Sequence, residues 1–105
     1  MLAKQFRLPS SVRFQKAHSL QTSFFTVKMQ LNENHGSRFG FIVSKAIDKR
    51  AVIRNRLKRL VRARIEARWL KIKGKDMLFI LRPAVKNASR EDIWRLIDET
   101  MAKLP

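Results

Sequence analysis

The chain has 105 residues, 45% of them apolar, with no cysteine and a formal net charge of +16 from 24 Lys and Arg against 8 Asp and Glu. That length suits one domain, residues 1–105, with one modest core, and the apolar share excludes a disordered basic tail. The missing cysteines exclude disulfides, a thiolate zinc site and a cysteine nucleophile, and they fit a reducing cytoplasm.

A charge of this size repels itself and calls for a polyanion. Nucleic acid is the leading candidate and an acidic membrane surface the other. The N-terminal MLAKQFRLPSS lacks the continuous apolar stretch of a secretory signal, and no apolar run is long enough to span a bilayer. Glu91, Asp92, Asp98 and Glu99 crowd into the last fifteen residues, so the positive excess lies mostly between Lys45 and Lys75.

In chain order, PSSVRFQKAHSL reads as a short helix capped by Ser10 or Ser11. SFFTVKMQL alternates, with Phe25, Val27, Met29 and Leu31 on one face of a strand and Phe24, Thr26, Lys28 and Gln30 on the other. NENHGS has the turn chemistry of a hairpin loop leading to a second strand, RFGFIVSK, with Phe39, Phe41 and Val43 on one side. A long helix follows over about Lys49 to Lys71, ended at Gly74. MLFILR is a third strand, apolar on both faces and therefore central or covered, and Pro83 stops it. SREDIWRLIDETMAKL is a last helix with Ser89 as cap, Asp92 at the capping-box position, and a stripe of Ile93, Leu96, Ile97, Met101 and Leu104. The order α-β-β-α-β-α predicts a small α+β domain, a sheet with helices packed against it.

The long helix carries the charge. On a 3.6-residue wheel, Ile53, Leu57, Leu60, Val61 and Ile65 share one arc, while Arg54, Lys58 and Arg62 form a row spaced by four. Asn55, Arg56 and Arg59 extend that row round the far side. The apolar beat fixes the helix to the sheet, and the fixed helix holds its cations ready for phosphate. Asn55 can donate and accept, as a sugar hydroxyl or a base edge requires. A merely solvated helix carries both signs at pairing distances, whereas here Glu66 is the single acid. Arg64 falls inside the apolar arc, and its stem is expected to snorkel near a sheet edge.

Reactive chemistry is not legible in the chain. His18 and His35 have no metal-ligand spacing, three glycines make no phosphate loop, and the scattered acids are explained by pairing with the surplus cations. No catalytic residue and no protein-held metal is predicted; if the chain takes part in catalysis, its partner supplies the reactive centre. Among the seven Phe, Phe14 on the short first helix and Phe24 on the outer strand face are the candidates for stacking on single-stranded bases, and core packing is the better reading for most of the others.

The run FGFIVSKAIDKRAVIRNRLKRLVR, with Ser44 and Lys45, then Arg54, Asn55 and Arg56, then Lys58, Arg59 and Arg62, resembles the protein subunit of bacterial ribonuclease P. Arg7, Leu8 and Phe14 match an early motif of that family, and length, basicity and element order agree over nearly the whole chain. The resemblance implies a fold like the second domain of ribosomal protein S5, with a left-handed crossover through the arginine helix. It implies a cytoplasmic ribonucleoprotein without a membrane or any required protein oligomer. The partner RNA cleaves the 5′ leader from precursor tRNA with Mg²⁺ held mainly by the RNA. Carried over, Ser44, Lys45, Arg50, Arg54, Asn55, Arg56, Lys58, Arg59 and Arg62 contact the catalytic RNA, and Phe14, His18 and Lys28 line a cleft for the leader. His18 and Lys28 stand where the family often has aromatics, which shifts the expected leader contact from stacking towards charge. A small ribosomal protein and a membrane-active basic protein are the alternative classes that composition leaves open.

Overall fold

The computed structural model describes residues 2–9, 12–14, 17–32, 36–72 and 74–103. Its elements are a 3₁₀ turn at Lys4–Phe6, β1 (His18–Gln21), β2 (Phe25–Leu31), β3 (Arg38–Ile42), α1 (Ala51–Arg68), β4 (Lys75–Leu81), a 3₁₀ segment at Pro83–Asn87 and α2 (Arg90–Lys103). The four strands form one mixed sheet in the order β1-β2-β4-β3. β1 and β4 each run antiparallel to β2, and β3 runs parallel to β4. The expected α+β architecture is present.

Two local expectations are corrected. His18, Ser19 and Leu20, read as the end of a helix, are strand residues that pair with Met29, Lys28 and Val27. A ladder already offered by β2 outcompetes the helical preference of so short a segment. Val12 to Phe14 are not helical either, and the expected caps Ser10 and Ser11 lie outside the described residues. Strands β2 and β3 are not a hairpin: β4 inserts between them, bonded to both. Turn chemistry reports a reversal of direction but not which strand fills the gap.

One sheet face is covered. Phe25, Val27 and Met29 of β2, Phe39 of β3 and Met77, Phe79 and Leu81 of β4 are buried there with Leu57, Val61 and Ile65 of α1 and Ile93, Ile97 and Met101 of α2. Phe79 sits at the centre, edge-on to Phe25 with centroids 5.6 Å apart and stacked on Phe41 at 5.6 Å. Each such side chain contributes roughly 1.5–3 kcal/mol of apolar burial. Leu31, expected on the same face, is 78% exposed because it ends its strand beyond the cover of the helices. Gly74, at φ 71°, supplies the left-handed turn after α1, and its carbonyl accepts from Asn32 N at 2.8 Å, joining the start of β4 to the end of β2. The Ser89 hydroxyl accepts from Asp92 N at 3.1 Å and caps α2, while the Asp92 carboxylate turns to Arg95 instead of closing a box.

Arg64 joins the two helices. Asp98 of α2 accepts from Arg64 Nε at 3.1 Å and from its Nη2, from Trp69 Nε1 at 3.1 Å and from Arg68 Nη1 at 3.2 Å. The Arg64 guanidinium also lies 5.4 Å from the Trp94 ring, whose Nε1 donates to Leu60 O at 2.8 Å. The stem runs along α2, not along a sheet edge. The bonds from Arg64 hold the Asp98 carboxyl below its ordinary value. Asp98→Ala is expected to cost about 1–2 kcal/mol in urea unfolding, since Arg64 keeps some access to water. A cost within about 0.5 kcal/mol of zero contradicts this account of the seam.

Candidate nucleic-acid interface

On α1, Leu57, Val61 and Ile65 are buried at a spacing of four, which fixes the rotation of the helix. The row Arg54, Lys58 and Arg62 therefore flanks the buried stripe, and its stems are half-buried. Asn55, Arg56 and Arg59 are exposed. Asn55, Lys58, Arg59 and Arg62 surround an open concavity of about 360 Å³. Arg62 meets Glu66 at 3.8 Å, a loose contact, whereas Arg56, Lys58 and Arg59 make no ion pair among the described residues. The three members of the row differ in use: Arg54 Nη1 donates to Asp48 O at 3.0 Å and Lys49 O at 2.7 Å, so this guanidinium braces the chain entering the helix.

The corner between β3 and α1 carries Ser44, Lys45 and Arg50, all exposed. Asp48 lies beneath them, 7% exposed. Its carboxylate accepts from Arg50 N at 2.8 Å, Arg50 Nε at 3.1 Å and Nη2 at 3.0 Å. Lys86, from the 3₁₀ segment after β4, reaches the same carboxylate at 3.0 Å. These bonds, led by those from Arg50, drive the Asp48 carboxyl far below the usual carboxylate range.

The other sheet face holds a groove. Registered pairs place Ser19, Lys28, Leu78 and Gly40 in one row across all four strands. The N-terminal segment enters beside β3, where Leu8 N donates to Phe39 O at 2.9 Å, and reaches β2, where Gln30 Nε2 donates to Arg13 O at 3.0 Å. Between these anchors Leu8, Val12 and half-buried Phe14 face Gly40, Ile42 and Leu78 across about 330 Å³. A Cβ on Gly40 would come within 3.1 Å of Leu8 Cδ2 and of Leu78 Cδ1, so glycine lets the segment approach the sheet. Lys28 stands beside this groove. His18 does not: it pairs with Met29, whose side chain is in the core, so it belongs to the opposite face. The helix expected to stack His18 one turn after Phe14 is a strand at His18, and alternation turns the ring away.

The family model for Ribonuclease P matches residues 2–105. The chain belongs to the ribonuclease P protein family. A ribonuclease P protein component from a Marinomonas species is 31% identical over 95% of this chain and 84% of its own length, and one from Vibrio parahaemolyticus is 33% identical over 87% and 77%. The solved RNase P protein of Staphylococcus aureus is 30% identical with a TM-score of 0.82, covering 93% of this chain and 95% of that one. The RNase P protein of Thermotoga maritima shares the fold at a TM-score of 0.77, with 24% identity over 86% of each chain.

Within this ribonuclease P family fold, the chain gathers the residues predicted from its sequence, His18 apart, into three places. Asn55, Arg56, Lys58, Arg59 and Arg62 form the open face of α1; Ser44, Lys45, Arg50 and Arg54 belong to the corner; Phe14 and Lys28 border the groove. Sequence reasoning missed Asp48 and Lys86. An acid three residues before a helix start is a recognisable capping signal, but nothing in the sequence ties Lys86 to it across 38 positions. Asp48, Asp76 and Asp98 are each engaged by arginine.

Proposed function

We propose that this chain is the protein subunit of ribonuclease P, binding a catalytic RNA and the 5′ leader of precursor tRNA in the cytoplasm. The observation that carries the reading is the α1 face, where Lys58, Arg59 and Arg62 stand round an open concavity with Asn55 and no acid lines it. Guanidinium groups held by a packed helix meet phosphate without first losing the conformational freedom of a tail. This face, with the corner residues Ser44, Lys45, Arg50 and Arg54, meets the catalytic RNA. In the groove, Phe14 offers a ring to a leader base and Lys28 a charge to leader phosphate. His18, on the far side of the sheet, takes no part. The Mg²⁺ that supports hydrolysis is held by the RNA, and the protein side chains bind and orient.

The membrane alternative needs a free apolar helix face, and on α1 that face is spent in the core. No helix among the described residues is long and apolar enough to cross a bilayer. Reconstitution tests the main reading. With the RNase P RNA of the same source, the protein is expected to restore leader removal from a precursor tRNA at low Mg²⁺, while the protein alone cleaves nothing. Cleavage by the RNA that is indifferent to the protein, or ribosomal RNA in every preparation, contradicts it.

A further inference from the structure

The corner between β3 and α1 has features that the open face of α1 does not explain. It is a shallow, open depression of about 490 Å³, lined by Lys45, Lys49, Arg50 and Lys86 around Asp48. It shares no lining residue with the concavity on α1. Four cations surround one carboxylate, so the depression stays strongly positive. The anion is inside and the cations are outside: the Asp48 side chain is 5% exposed, against 66% for Arg50 and 41% for Lys86.

Donor counting shows what remains available. An ammonium has three N–H groups and a guanidinium five. Lys86 spends one on Asp48, and Arg50 spends one each from Nε and Nη2. The rest are free to meet a second anion, as are Lys45 and Lys49, which make no ion pair among the described residues. The corner also lies at the start of α1, where the helix dipole favours negative charge, yet the first turn of α1 holds no acid. Asp48, which accepts from the N-cap amide of Arg50, offsets the cations crowding this end only in part. Arg54 braces the same loop from the helix side through the carbonyls of Asp48 and Lys49. The cations are thus held on a frame assembled from two distant parts of the chain.

Resting on the RNA-binding reading above, which already gives Lys45 and Arg50 to the RNA, we propose that Lys49 and Lys86 extend this corner's contact with RNA backbone and that Asp48 aims Arg50 and Lys86 as a positioning residue. An open, shallow, many-donor surface suits a polynucleotide backbone, whereas a small free anion needs enclosure.

The sign of one substitution distinguishes positioning from bulk charge. Asp48→Asn deletes an acid and raises the formal net charge of +16 by one, so bulk electrostatics alone predicts tighter RNA binding with a steeper salt dependence. A positioning role predicts the reverse. Equilibrium binding of the full chain to the RNase P RNA of the same source is measured across a KCl series, with thermal melts as a folding control. D48N is expected to bind about five- to tenfold more weakly, and its slope of log affinity against log salt falls by about one unit. Lys86→Met is expected to lose a similar amount, and D48N costs less in the K86M background than in the parent, because the Asp48–Lys86 contact is already absent there.

A folded D48N that binds as tightly as the parent, or losses from D48N and K86M that simply add, overturns the proposal. Should D48N fail to fold, K86M decides alone: an unchanged salt slope overturns the site. A parent protein that does not bind this RNA rejects the RNA-binding reading itself, and this site with it. A parent that binds while D48N and K86M bind equally well rejects only the corner.

Discussion

Replacing Asp76 by Ala is expected to lower the unfolding free energy by about 3 kcal/mol, the largest loss from any single polar side chain here. Asp76 is 2% exposed on the central strand β4. Its carboxylate takes both prongs of Arg38, Nε at 2.8 Å and Nη2 at 2.8 Å, and the Asn32 amide at 2.8 Å. One group therefore joins β4 to β3 and to the end of β2, the two strands it separates. Removal leaves a guanidinium that is 23% exposed and can recover only part of its hydration, so the cost lies at the lower end of the range for broken buried pairs. Burial pushes this carboxyl up, but bonds from Arg38 and Asn32 and the Arg38 charge bring it below its ordinary value. A lowered folded value gives stability that is present at neutral pH and lost as pH falls through that value. Urea denaturation of the parent and of D76A should thus differ most near neutrality and converge as pH falls below the ordinary carboxylate range. Adding Arg38→Met to D76A is expected to restore part of the loss, because it removes the stranded charge. A D76A protein within about 1 kcal/mol of the parent at pH 7 sinks this account of the sheet.

The second large effect is on RNA. Substituting Lys58, Arg59 and Arg62 together by Ala is expected to flatten the salt slope of RNA binding by about 2–3 units and weaken affinity on the order of 100-fold near 0.1 M salt. Stability should hold or rise slightly, since the substitutions relieve repulsion within a chain of net charge +16 and, of the ion pairs among the described residues, remove just the loose Arg62–Glu66 contact. Loss of affinity without loss of fold is the signature of an open cationic face. An unchanged slope, or a melting temperature that drops with the affinity, contradicts it.

Strands β2 and β4 and helices α1 and α2 were legible because a buried face imposes its period on the residues that fill it. The buried stripe Leu57, Val61 and Ile65 follows directly from the wheel, and it places Lys58, Arg59 and Arg62. Strand β1 was not legible. Four residues at a sheet edge, with Leu20 the single one that is not exposed, carry too little alternation to compete with a helical reading. The place of β4 between β2 and β3 was hidden for another reason: it depends on pairing across more than forty residues, which local turn chemistry does not encode. The same distance explains the arginines. Arg64 has its carboxylate 34 residues away on α2, so the wheel showed a misplaced charge without its partner. Arg54 matches its row by spacing, yet its donors go to the carbonyls of Asp48 and Lys49. Spacing identifies which face a cation occupies; the contacts made by the neighbouring loop decide what it does there.

Amide hydrogen exchange of the free protein in low salt, without RNA, tests most directly whether α1 holds its cations in place before a partner arrives. The backbone amides of Leu57, Val61 and Ile65, on the buried side of the helix, are expected to exchange only through global opening, as slowly as those of Met77 and Phe79 in β4. Exchange in α1 at the rate of an unfolded chain, slowing only when RNA is added, would show a segment that folds on its partner and contradict the account.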